Sequence, residues 1–589
     1  MRDECKDDLV ADVPEACGVL IGNCCEFVVA ALAIWKAGKT VVLLDPNWPE
    51  ERLAMVVSAC PITQIVTIEP FRQKAANILP PSVVTIIDLE PELTPLAASS
   101  PKGAIPGGRH PDTSAYVIFT SGSTGRPKGV PISHANLAQL LAWQQGAFDL
   151  GPQYTSLQLL PVTFDFGFEE VLNQVCFGGH VHFAEPAEAI DPERYARKAA
   201  AIGANLLYVT PSQLEFLLSV LDLENFRMIL IGGEAFPWRL WDRLAPALTS
   251  ERRIFNGYGP TETTITATAH RLSPSDRWKY ATALSVPIGV PCADSRIHIV
   301  DPADQLCPPG VPGEIVISGG GVSAGYLGAP AEQSARFGFV RFSASMQTWA
   351  FRTGDIAKFH HDGLIEFLGR SDGQVKVNGF RVETEEIAEV LRSAGALQVV
   401  VDHDPSGGKP NPLAAYCIFE AGTGTNLRAL YRAAAARLPI YARPRIVQVD
   451  ALPLTPNGKP DTATLRALHG IRAVEDTGLA AGAKARLLKD EILDVWRHLL
   501  SAPFLAPQDD VFEYGANSLV ILQAQKDIER RVELRIELPA LFTYRSAEAL
   551  AEHLRDVTSH DSAAPDATPS RRNALAFQRL RRRRAVPRE

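Results

Sequence analysis

The 589-residue sequence lacks several features that would place it in a simple class of protein. No CxxC pair occurs among its nine cysteines, which argues against a zinc site or a thioredoxin-like redox site. No apolar run of about 18 residues is present, and the charged first residues are unlike a signal peptide. We therefore expect no membrane span, reduced thiols and a cytoplasmic location.

The sequence also lacks an excess of positive charge. It has 58 lysines and arginines against 67 aspartates and glutamates, a net charge of −9, so the whole chain is not expected to bind nucleic acid. The arginine run at 581–584 is interpreted as part of a solvated tail. Hydrophobic residues make up 46% and charged residues 21% of the chain, as in globular proteins of several domains.

Two hydrophobic patterns occupy most of the chain. Short apolar runs at 206–210 and 228–233 are separated by amphipathic stretches, which predicts βα units and a largely parallel sheet. From 283 to 326 short strands are interrupted by glycine and proline, which predicts a β-rich subdomain. A strand at 375–382 and a helix at 385–393 then begin a compact α+β unit.

The last part of the chain changes character again. Residues 471–484 are rich in alanine and glycine and predict a linker. Residues 485–557 have a helical pattern about the size of a small bundle. Residues 558–589 are rich in serine, proline, alanine and arginine and predict a disordered basic tail.

Two motifs suggest a nucleotide site. Residues 116–130 run from an apolar strand into a loop of glycines and hydroxyl residues with one lysine, which can hold phosphate oxygens but is not a Walker loop. Residues 256–264 offer the aromatic face of Tyr258 for a purine and the carboxylate of Glu262 for a hard cation. The alternatives are a flexible turn after a strand and a surface loop that carries an acid.

A third motif, residues 351–357 together with 369–383, and a fourth motif, residues 453–461, carry charged residues in turns. Asp355 follows a glycine turn and can accept ribose hydroxyls, and Arg370 in 369–383 can reach a phosphate. The alternative is a pair of charged hairpin turns. Lys459 lies at the tip of a predicted loop, where a lysine by itself is usually solvated.

These four motifs, in this order and at these separations, resemble the adenylation domains of nonribosomal peptide synthetases. That family belongs to the larger superfamily of acyl-CoA synthetases and firefly luciferase. Residues 35–46 and 317–327 are similar to two further family segments, and the resemblance covers residues 15–468. The family usually carries an additional segment before this point, so we expect the core to be truncated at its N-terminal end.

The resemblance implies an α/β, multidomain adenylate-forming fold. The adenylation core, with large α/β subdomains and a β-rich subdomain, is expected over 1–367. A small α+β C-terminal lid is expected over 368–470. An all-α four-helix carrier domain is expected over 485–557, after the linker at 471–484.

The resemblance also implies roles for individual residues, carried over by matching position. Lys459 contacts the acid and the α-phosphate during adenylate formation, Glu262 binds Mg²⁺, and Thr261 lies near the phosphates. Asp372 is the hinge about which the lid turns. The ATP site implied by the resemblance comprises Thr120, Ser121, Gly122, Ser123, Thr124, Lys128, Gly233, Asn256, Tyr258, Asp355 and Arg370.

The substrate is expected to be an amino acid. In the family an aspartate after a phenylalanine pairs with the α-ammonium, and Asp165 occupies that place. The rest of the implied pocket is Phe166, Glu169, Tyr208, Leu230, Gly232, Gly257, Ile265 and Thr266. If Glu169 faces the pocket, it needs a donor or a cation, which favours a polar or amine-bearing side chain. The alternative, that Glu169 points to solvent or to a backbone donor, is equally compatible with the sequence.

The C-terminal helical segment contains a fifth signal. Residues 510–523 resemble the peptidyl-carrier motif, with Ser518 at a helix start and Ala516 in place of the usual second glycine. In this context Ser518 is expected to carry 4′-phosphopantetheine, whose reach and tethering would bring a thiol into a closed site.

The sequence thus predicts an AMP-forming ligase that uses ATP and Mg²⁺ and loads an amino acid onto its own carrier. Its expected role is in nonribosomal peptide or related secondary-metabolite biosynthesis. Expected partners are a phosphopantetheinyl transferase and a separate condensation or tailoring enzyme. Two alternatives stay open: an inactive adenylation domain that only presents the carrier, and a ligase that uses free coenzyme A.

Overall fold

The structure is a computed structural model of the 589-residue chain. The described residues are 13, 15–88, 111–122, 126–327, 335–343, 346–377, 379–404, 412–419, 427–454, 460–469, 488–500 and 502–561. The chain divides into two compact units, Met1–Glu383 and Thr384–Glu589.

The first unit contains a six-stranded sheet whose strands pair in the order β4-β3-β1-β2-β5-β6. All neighbouring strands are parallel except β5 and β6, which form an antiparallel pair. The strands are β1 (Ala16–Leu20), β2 (Thr40–Leu44), β3 (Ile62–Thr67), β4 (Val84–Ile86), β5 (Ser114–Thr120) and β6 (Lys128–Ser133).

A second sheet of seven strands has the order β13-β12-β11-β10-β9-β7-β8. The strands from β8 to β11 are parallel, and β12 and β13 add antiparallel pairs at one edge. They are β7 (Thr155–Gln158), β8 (His180–Phe183), β9 (Leu206–Val209), β10 (Met228–Ile231), β11 (Arg253–Tyr258), β12 (Thr268–Arg271) and β13 (Val290–Pro291). The predicted βα alternation and largely parallel sheet are therefore confirmed.

The remaining strands of the first unit are antiparallel. Five of them form one sheet, and the last two form a hairpin. They are β14 (Ser295–Val300), β15 (Gly313–Gly319), β16 (Phe337–Ser343), β17 (Met346–Phe359), β18 (Ile365–Arg370), β19 (Gln374–Val377) and β20 (Phe380–Glu383). The single strand predicted at 375–382 is wrong, because the chain turns at Gly379 and pairs with itself.

The helices of the first unit connect these strands. They are α1 (Cys25–Lys36), α2 (Glu50–Ala59), α3 (Arg72–Ile78), α4 (His134–Phe148), α5 (Asp165–Phe177), α6 (Pro186–Ile190), α7 (Pro192–Ala201), α8 (Pro211–Leu217), α9 (Trp238–Leu244) and α10 (Asp276–Lys279). Short 3-10 turns lie at Glu69–Phe71, Pro81–Val83, Leu223–Asn225, Ala245–Ala247 and Thr261–Thr263.

Helix α5 lies at the centre of the first unit. Its residues 165–174 are all buried, whereas a surface helix would bury only one stripe. Phe168 packs edge-on against Phe27 and Tyr116 of the first sheet's layer, and Phe166 packs against Tyr208 of the second sheet. The helix therefore fixes whatever polar side chains it carries between two hydrophobic cores.

The second unit begins with an α+β subdomain and ends with a helical bundle. Its elements are α11 (Thr384–Ser393), β21 (Gln398–His403), β22 (Leu413–Ile418), α12 (Leu427–Arg437), β23 (Arg445–Gln448), α13 (Thr462–His469), α14 (Leu488–Leu499), α15 (Ser518–Val532), α16 (Leu538–Thr543) and α17 (Ala547–Asp561). A 3-10 turn lies at Ile440–Ala442. In the bundle, Trp496 of α14 and Ile521 of α15 are buried, as expected for apolar faces that pack on one another.

Several predictions fall where the structure gives no description. These are the linker at 471–484, all of the basic tail beyond Asp561, and residues 1–12. The predicted domain boundaries stay predictions. In the described residues all eight cysteines are free thiols, and no helix there is long and apolar enough to cross a membrane.

Candidate active site

The predicted phosphate loop connects two paired strands of the first sheet. Strand β5 ends at Thr120, which lies opposite Lys128 at the start of β6. The Thr120 hydroxyl is buried and has no hydrogen-bond partner among the described residues, so it is available to a ligand. A Cβ at Gly122 would lie 2.0 Å from the Arg126 carbonyl oxygen, so this turn requires glycine. Ser123 and Thr124 of the same loop lie outside the described residues.

Lys128 points into the protein instead of towards solvent. Its Nζ lies 3.7 Å from Glu383 Oε1 and 4.6 Å from the centre of the Tyr326 ring. A buried ammonium requires such partners, because its desolvation is otherwise costly. The loop lysine predicted from the sequence is thus part of a buried charge cluster.

Glu262 is the centre of that cluster. It lies in a 3-10 turn and is fully buried, and it accepts hydrogen bonds from Tyr326 and from Arg381 of β20. Burial alone would raise the pKa of Glu262, but Arg381, Lys128 and Tyr326 together lower it below its ordinary value. Glu262 is therefore a carboxylate, the form that can ligate a hard cation.

The residue predicted to bind the α-ammonium contacts the turn that carries Glu262. Asp165 is the first residue of α5, and its Oδ2 accepts a hydrogen bond of 2.6 Å from the Thr261 hydroxyl. Its Oδ1 accepts the backbone N–H of Phe166 at 2.8 Å. Burial raises the pKa of Asp165, and Thr261, Phe166 and the charge of Lys376 oppose that shift without reversing it. No ion pair described in the structure includes Asp165, so a cationic ligand group would complete its surroundings.

The predicted nucleoside residues also lie together. The Tyr258 hydroxyl donates to Asp355 Oδ2 at 2.6 Å, and Arg370 Nη1 lies 2.5 Å from Asp355 Oδ1. Arg370 also binds Asp372, the predicted hinge, which Arg336 contacts as well. The structure thus brings Tyr258, Asp355 and Arg370 together as the sequence predicted.

Asn256 lies in β11, two residues before Tyr258. Its Nδ2 donates to the Pro287 carbonyl oxygen at 2.9 Å, whereas its Oδ1 is buried without a hydrogen-bond partner among the described residues. A buried, unsatisfied acceptor is uncommon in a folded protein and fits an amino group such as that of adenine.

The β19–β20 hairpin closes another side of the site. The backbone N–H of Gly379 donates to Glu234 Oε1 at 2.6 Å, and Glu234 Oε2 is held by Ser212. Gly233, a predicted ATP-site residue, has φ +88° and lies beside Gly379 and the Phe164 ring. A side chain at Gly233 would enter this narrow gap.

The apolar members of the predicted substrate pocket lie together in the structure. Phe166, Tyr208, Leu230 and Ile265 belong to one buried cluster that also includes residues of α4. Gly232 lies against the Phe166 ring, where a Cβ would be 3.4 Å from Cζ. Gly257 and Thr266 lie in and after β11, next to the same cluster.

Glu169 is buried, not solvent-exposed, which removes one part of the alternative left open by the sequence. Its Oε1 accepts from Gln144 Nε2 at 2.7 Å, and its Oε2 accepts from the Thr266 hydroxyl at 3.1 Å. Burial raises the pKa of Glu169 to about 8, although both hydrogen bonds act in the opposite direction. Its donors are Gln144 of α4 and Thr266, so Glu169 lies beside another residue of the predicted pocket.

The turn after Glu262 holds an unusual backbone. Thr264 and Ile265 both have positive φ, +64° and +66°, although neither is glycine. Such conformations cost free energy in β-branched residues and persist only where contacts enforce them. Here the Thr264 hydroxyl donates to the Gly321 carbonyl oxygen at 2.6 Å, and this turn directs Ile265 into the pocket cluster.

Several site residues were missed by the sequence analysis. Arg381 and Glu383 lie within the motif at 369–383, and their opposite charges two positions apart on a strand put them on one face. These two opposite charges on one face of a strand were the signal in the sequence that could have identified both residues. Gln144 lies in ordinary sequence surroundings, whereas Tyr326 lies within the segment 317–327 and Glu234 directly follows Gly233. Only tertiary packing brings these three residues here.

Besides Ser123 and Thr124, two further predicted residues cannot be placed with their side chains. Lys459 lies outside the described residues, and for Ser518 the structure describes the backbone alone. Ser518 is the first residue of α15, a helix of 15 residues, so its backbone lies at a positive helix end. Across the described part of the chain, no group of three or more histidine, cysteine, aspartate or glutamate side chains could hold a metal ion.

The chain matches a family of known proteins over most of the first unit. The family model for AMP-binding enzymes matches residues 12–327. The chain belongs to the AMP-binding enzyme family. A second model, for the phosphopantetheine attachment site, matches residues 490–554. The chain therefore has an adenylation domain followed by a carrier domain, and both predictions are confirmed.

Individual relatives agree with this assignment. Tyrocidine synthase 3 of Brevibacillus parabrevis is 31% identical over 549 residues, which cover 91% of this chain and 8% of that protein. Phosphinothricin tripeptide synthetase PhsB of Streptomyces viridochromogenes is 33% identical over 569 residues, which cover 94% and 46%. The adenylation–carrier chain thus spans less than half of the length of these curated relatives.

A solved structure has the same order of domains. PA1221, an NRPS protein containing adenylation and PCP domains, superimposes in its holo form with a TM-score of 0.72 and 25% identity. The match covers 92% of this chain and 88% of PA1221. The predicted α/β adenylation fold with a helical carrier domain is therefore confirmed.

The buried acid of the pocket predicts a pH-dependent stability. The pKa of Glu169, about 8, is above the unfolded value, so the unfolded chain loses this proton first as pH rises. The stabilisation is complete below the unfolded pKa and is lost as pH rises through the folded pKa. Glu169→Gln should therefore gain stability relative to wild type by up to about 1.4 kcal/mol per pH unit between these two values.

The measurement is urea unfolding of both proteins at several pH values, with the exposed Glu215→Gln as control. Parallel stability curves for wild type and Glu169→Gln would contradict the assignment of a buried, protonated Glu169.

Proposed function

We propose that this adenylation–carrier protein activates an amino acid with ATP and transfers it as a thioester to its own carrier domain. Its biosynthetic context would be the assembly of nonribosomal peptides or related secondary metabolites. The observation that carries the proposal is the hydrogen bond of 2.6 Å between Asp165 and Thr261. It joins the residue suited to an α-ammonium to the turn that carries Glu262, so acid and phosphate would meet at one place.

The first half-reaction requires charge neutralisation more than a protein nucleophile. A carboxylate oxygen of the amino acid attacks the α-phosphorus, the bond to the bridging oxygen breaks, and pyrophosphate leaves with the electron pair. Lys459 would offset the charge on the α-phosphate, and Lys128 with the phosphate loop would hold the leaving group. Mg²⁺, held by Glu262, would supply electrostatic stabilisation of the same phosphates.

The nucleoside would be held by the group around Asp355. Asp355 would accept the ribose hydroxyls, for which Tyr258 and Arg370 orient its two oxygens. The unsatisfied Oδ1 of Asn256 would accept a hydrogen bond from the adenine amino group. These residues would bind and orient the nucleotide without taking part in bond making.

The amino-acid substrate is suggested by Asp165. Its raised pKa reflects a buried carboxyl without an ion-pair partner, and an α-ammonium would supply that partner within the pocket. A plain aryl acid would leave Asp165 without this cation.

The side chain of the substrate would reach Glu169. Because Glu169 is buried at the pocket layer with Gln144 and Thr266, it can present a hydrogen-bonding surface at the end of an otherwise apolar pocket. We infer a polar or amine-bearing amino acid, whose donor would compete for the Glu169 carboxyl.

The second half-reaction would use the carrier domain. Ser518, at the N-terminus of α15, suits a phosphodiester because a helix start favours negative charge. 4′-Phosphopantetheine attached there would supply the thiol that receives the acyl group. Asn517 positions the start of this helix, since its Oδ1 accepts the backbone N–H of Val520 at 3.0 Å.

Four further inferences complete the proposal. A phosphopantetheinyl transferase would modify Ser518, and a separate condensation or tailoring enzyme would take the acyl group from it. Asp372 would be the hinge of the lid. The reaction would take place in the cytoplasm, in keeping with the free thiols among the described cysteines.

The adenylation step is tested by ATP–pyrophosphate exchange with Mg²⁺ and a broad panel of acids. Lys459→Ala should lower the exchange rate on the order of 10²- to 10³-fold, because it removes a cation that stabilises the transition state. Lys279→Ala, which removes a lysine from an exposed ion pair, is the matched control. Nucleotide consumption by neither wild type nor variant would leave only a carrier-presenting role.

The carrier step is tested by mass spectrometry after incubation with a phosphopantetheinyl transferase and coenzyme A. Wild type should gain one phosphopantetheine on the peptide that contains Ser518, and Ser518→Ala should gain none. Ser546→Ala, which changes the hydroxyl that accepts the backbone N–H of Ala549 in α17, should be modified like wild type. Acyl transfer to free coenzyme A by unmodified protein would favour the alternative ligase.

The substrate class is tested by comparing exchange rates across amino acids in wild type and Glu169→Gln. Polar and amine-bearing side chains should be preferred over aliphatic ones by wild type. The variant should lose part of that preference, by roughly tenfold if one hydrogen bond to a charged group is lost. Turnover of aliphatic amino acids alone would contradict the role of Glu169.

A further inference from the structure

The β19–β20 hairpin places two opposite charges against the residues assigned to metal and phosphate. Arg381 Nη1 lies 2.9 Å from Glu262 Oε1 and 3.1 Å from Oε2. Two residues along the same strand, Glu383 Oε1 lies 3.7 Å from Lys128 Nζ. The hairpin therefore forms ion pairs with Glu262 and Lys128 at the same time.

Both ion pairs are largely withdrawn from solvent. The side chains of Glu262, Lys128, Glu383 and Arg381 are 0%, 3%, 7% and 14% exposed. Buried charges are stable only with partners, so each pair must be broken before another ion can be accommodated at the same group. The contacts are thus competitors for any ligand that uses Glu262 or Lys128.

The order of charges on the hairpin matches that of a metal-bound pyrophosphate. Glu262 would receive a cation and Lys128 an anion from such a ligand. Arg381 offers a cation to Glu262, and Glu383 offers an anion to Lys128. The strand spacing of two residues puts both side chains on one face, as this match requires.

We propose that the β19–β20 hairpin is an internal substitute for Mg²⁺–pyrophosphate, so that hairpin docking and binding of that product exclude each other. Arg381 takes the place of the metal at Glu262, and Glu383 takes the place of a phosphate oxygen at Lys128. The proposal rests on the proposed function for the roles of Glu262 and Lys128. The arrangement would make the adenylation step directional, because the docked hairpin opposes the return of pyrophosphate once it has left.

The backbone of the hairpin is fitted to the site, which separates this arrangement from an incidental contact. The Ser121 hydroxyl donates to the Arg381 carbonyl oxygen at 3.0 Å, and Glu234 accepts the N–H of Gly379. At Gly379, with φ +85°, a Cβ would lie 2.7 Å from Thr210 Cγ2. Only glycine allows this close approach.

Arg381 also has donors to spare. Its Nε and Nη2 are buried and have no hydrogen-bond partner among the residues that the structure describes. Such donors favour an anion, and the phosphate of an adenylate is the anion that stays after pyrophosphate leaves. The docked hairpin can therefore hold a product-side state while it excludes the first product.

Binding experiments without turnover test the proposal. Each variant loses one charge, and it is assayed with a ligand of the opposite charge, which the wild-type side chain would attract. Arg381→Ala is titrated with pyrophosphate alone by calorimetry. Glu383→Gln is titrated with Mn²⁺ by electron paramagnetic resonance in the presence of AMP. Arg296→Ala and Glu215→Gln, both at exposed ion pairs, are the matched controls. All titrations use the full chain.

Simple electrostatics predicts weaker binding in both titrations, whereas release of a competing hairpin predicts tighter binding. We expect each variant to bind its ligand on the order of tenfold more tightly than wild type, the effect of losing one buried charged contact. Weaker or unchanged affinity in both variants would overturn the proposal. Glu383→Gln retains its shape, so it supplies the test if Arg381→Ala does not fold.

The two proposals can fail separately. Exchange of pyrophosphate by wild type, together with unchanged affinities in both variants, would leave the proposed function intact and remove the hairpin's role. Absence of exchange would remove the proposed function, and tighter binding by the variants would still show that the hairpin competes for Glu262 and Lys128.

Discussion

The site depends on the complete burial of helix α5 between two hydrophobic cores. A helix that is covered on every side cannot send its polar residues to solvent, so Asp165, Glu169 and Glu170 lose most of their hydration. Burial raises the pKa of all three, and that of Glu169 and Glu170 to about 8. The free energy lost there must be offset by packing elsewhere, chiefly by the aromatic contacts of Phe166 and Phe168. The helix thereby keeps three carboxyl groups in an environment where one matching cation would have a large effect.

A second property of the site is that its charged residues are already paired with one another. Glu262 binds Arg381, Lys128 binds Glu383, and Asp355 binds Arg370. Each pair keeps buried charges tolerable, and each would have to exchange a protein partner for a ligand group. Binding at such a site is a replacement of ions, not the filling of an empty charged cleft.

The carrier domain has simpler energetics. Its helices bury apolar faces around Trp496 and Ile521, and Ser518 lies at a helix start that needs only backbone geometry to favour a phosphodiester. The adenylation domain by contrast contains strained turns at Thr264 and Ile265 and close glycine contacts at Gly379. The two domains therefore differ in what holds their functional residues: hydrophobic burial and one helix end in the carrier, and buried ion pairs with enforced backbone conformations in the adenylation domain.

The sequence by itself determined the class of fold and the order of domains. It also singled out Thr120, Lys128, Tyr258, Glu262, Asp355 and Ser518 as candidates, because short motifs mark these residues locally within strands, turns and a helix start. The apolar pocket residues also followed from matching positions. The hairpin at 374–383 was misread as one strand, since alternation alone does not reveal a turn at Gly379. Only the tertiary structure decided that Glu169 is buried against Gln144 and that Arg381 and Glu383 pair with Glu262 and Lys128. The two ion pairs join residues more than a hundred positions apart, and long-range packing, not local pattern, sets which charges meet.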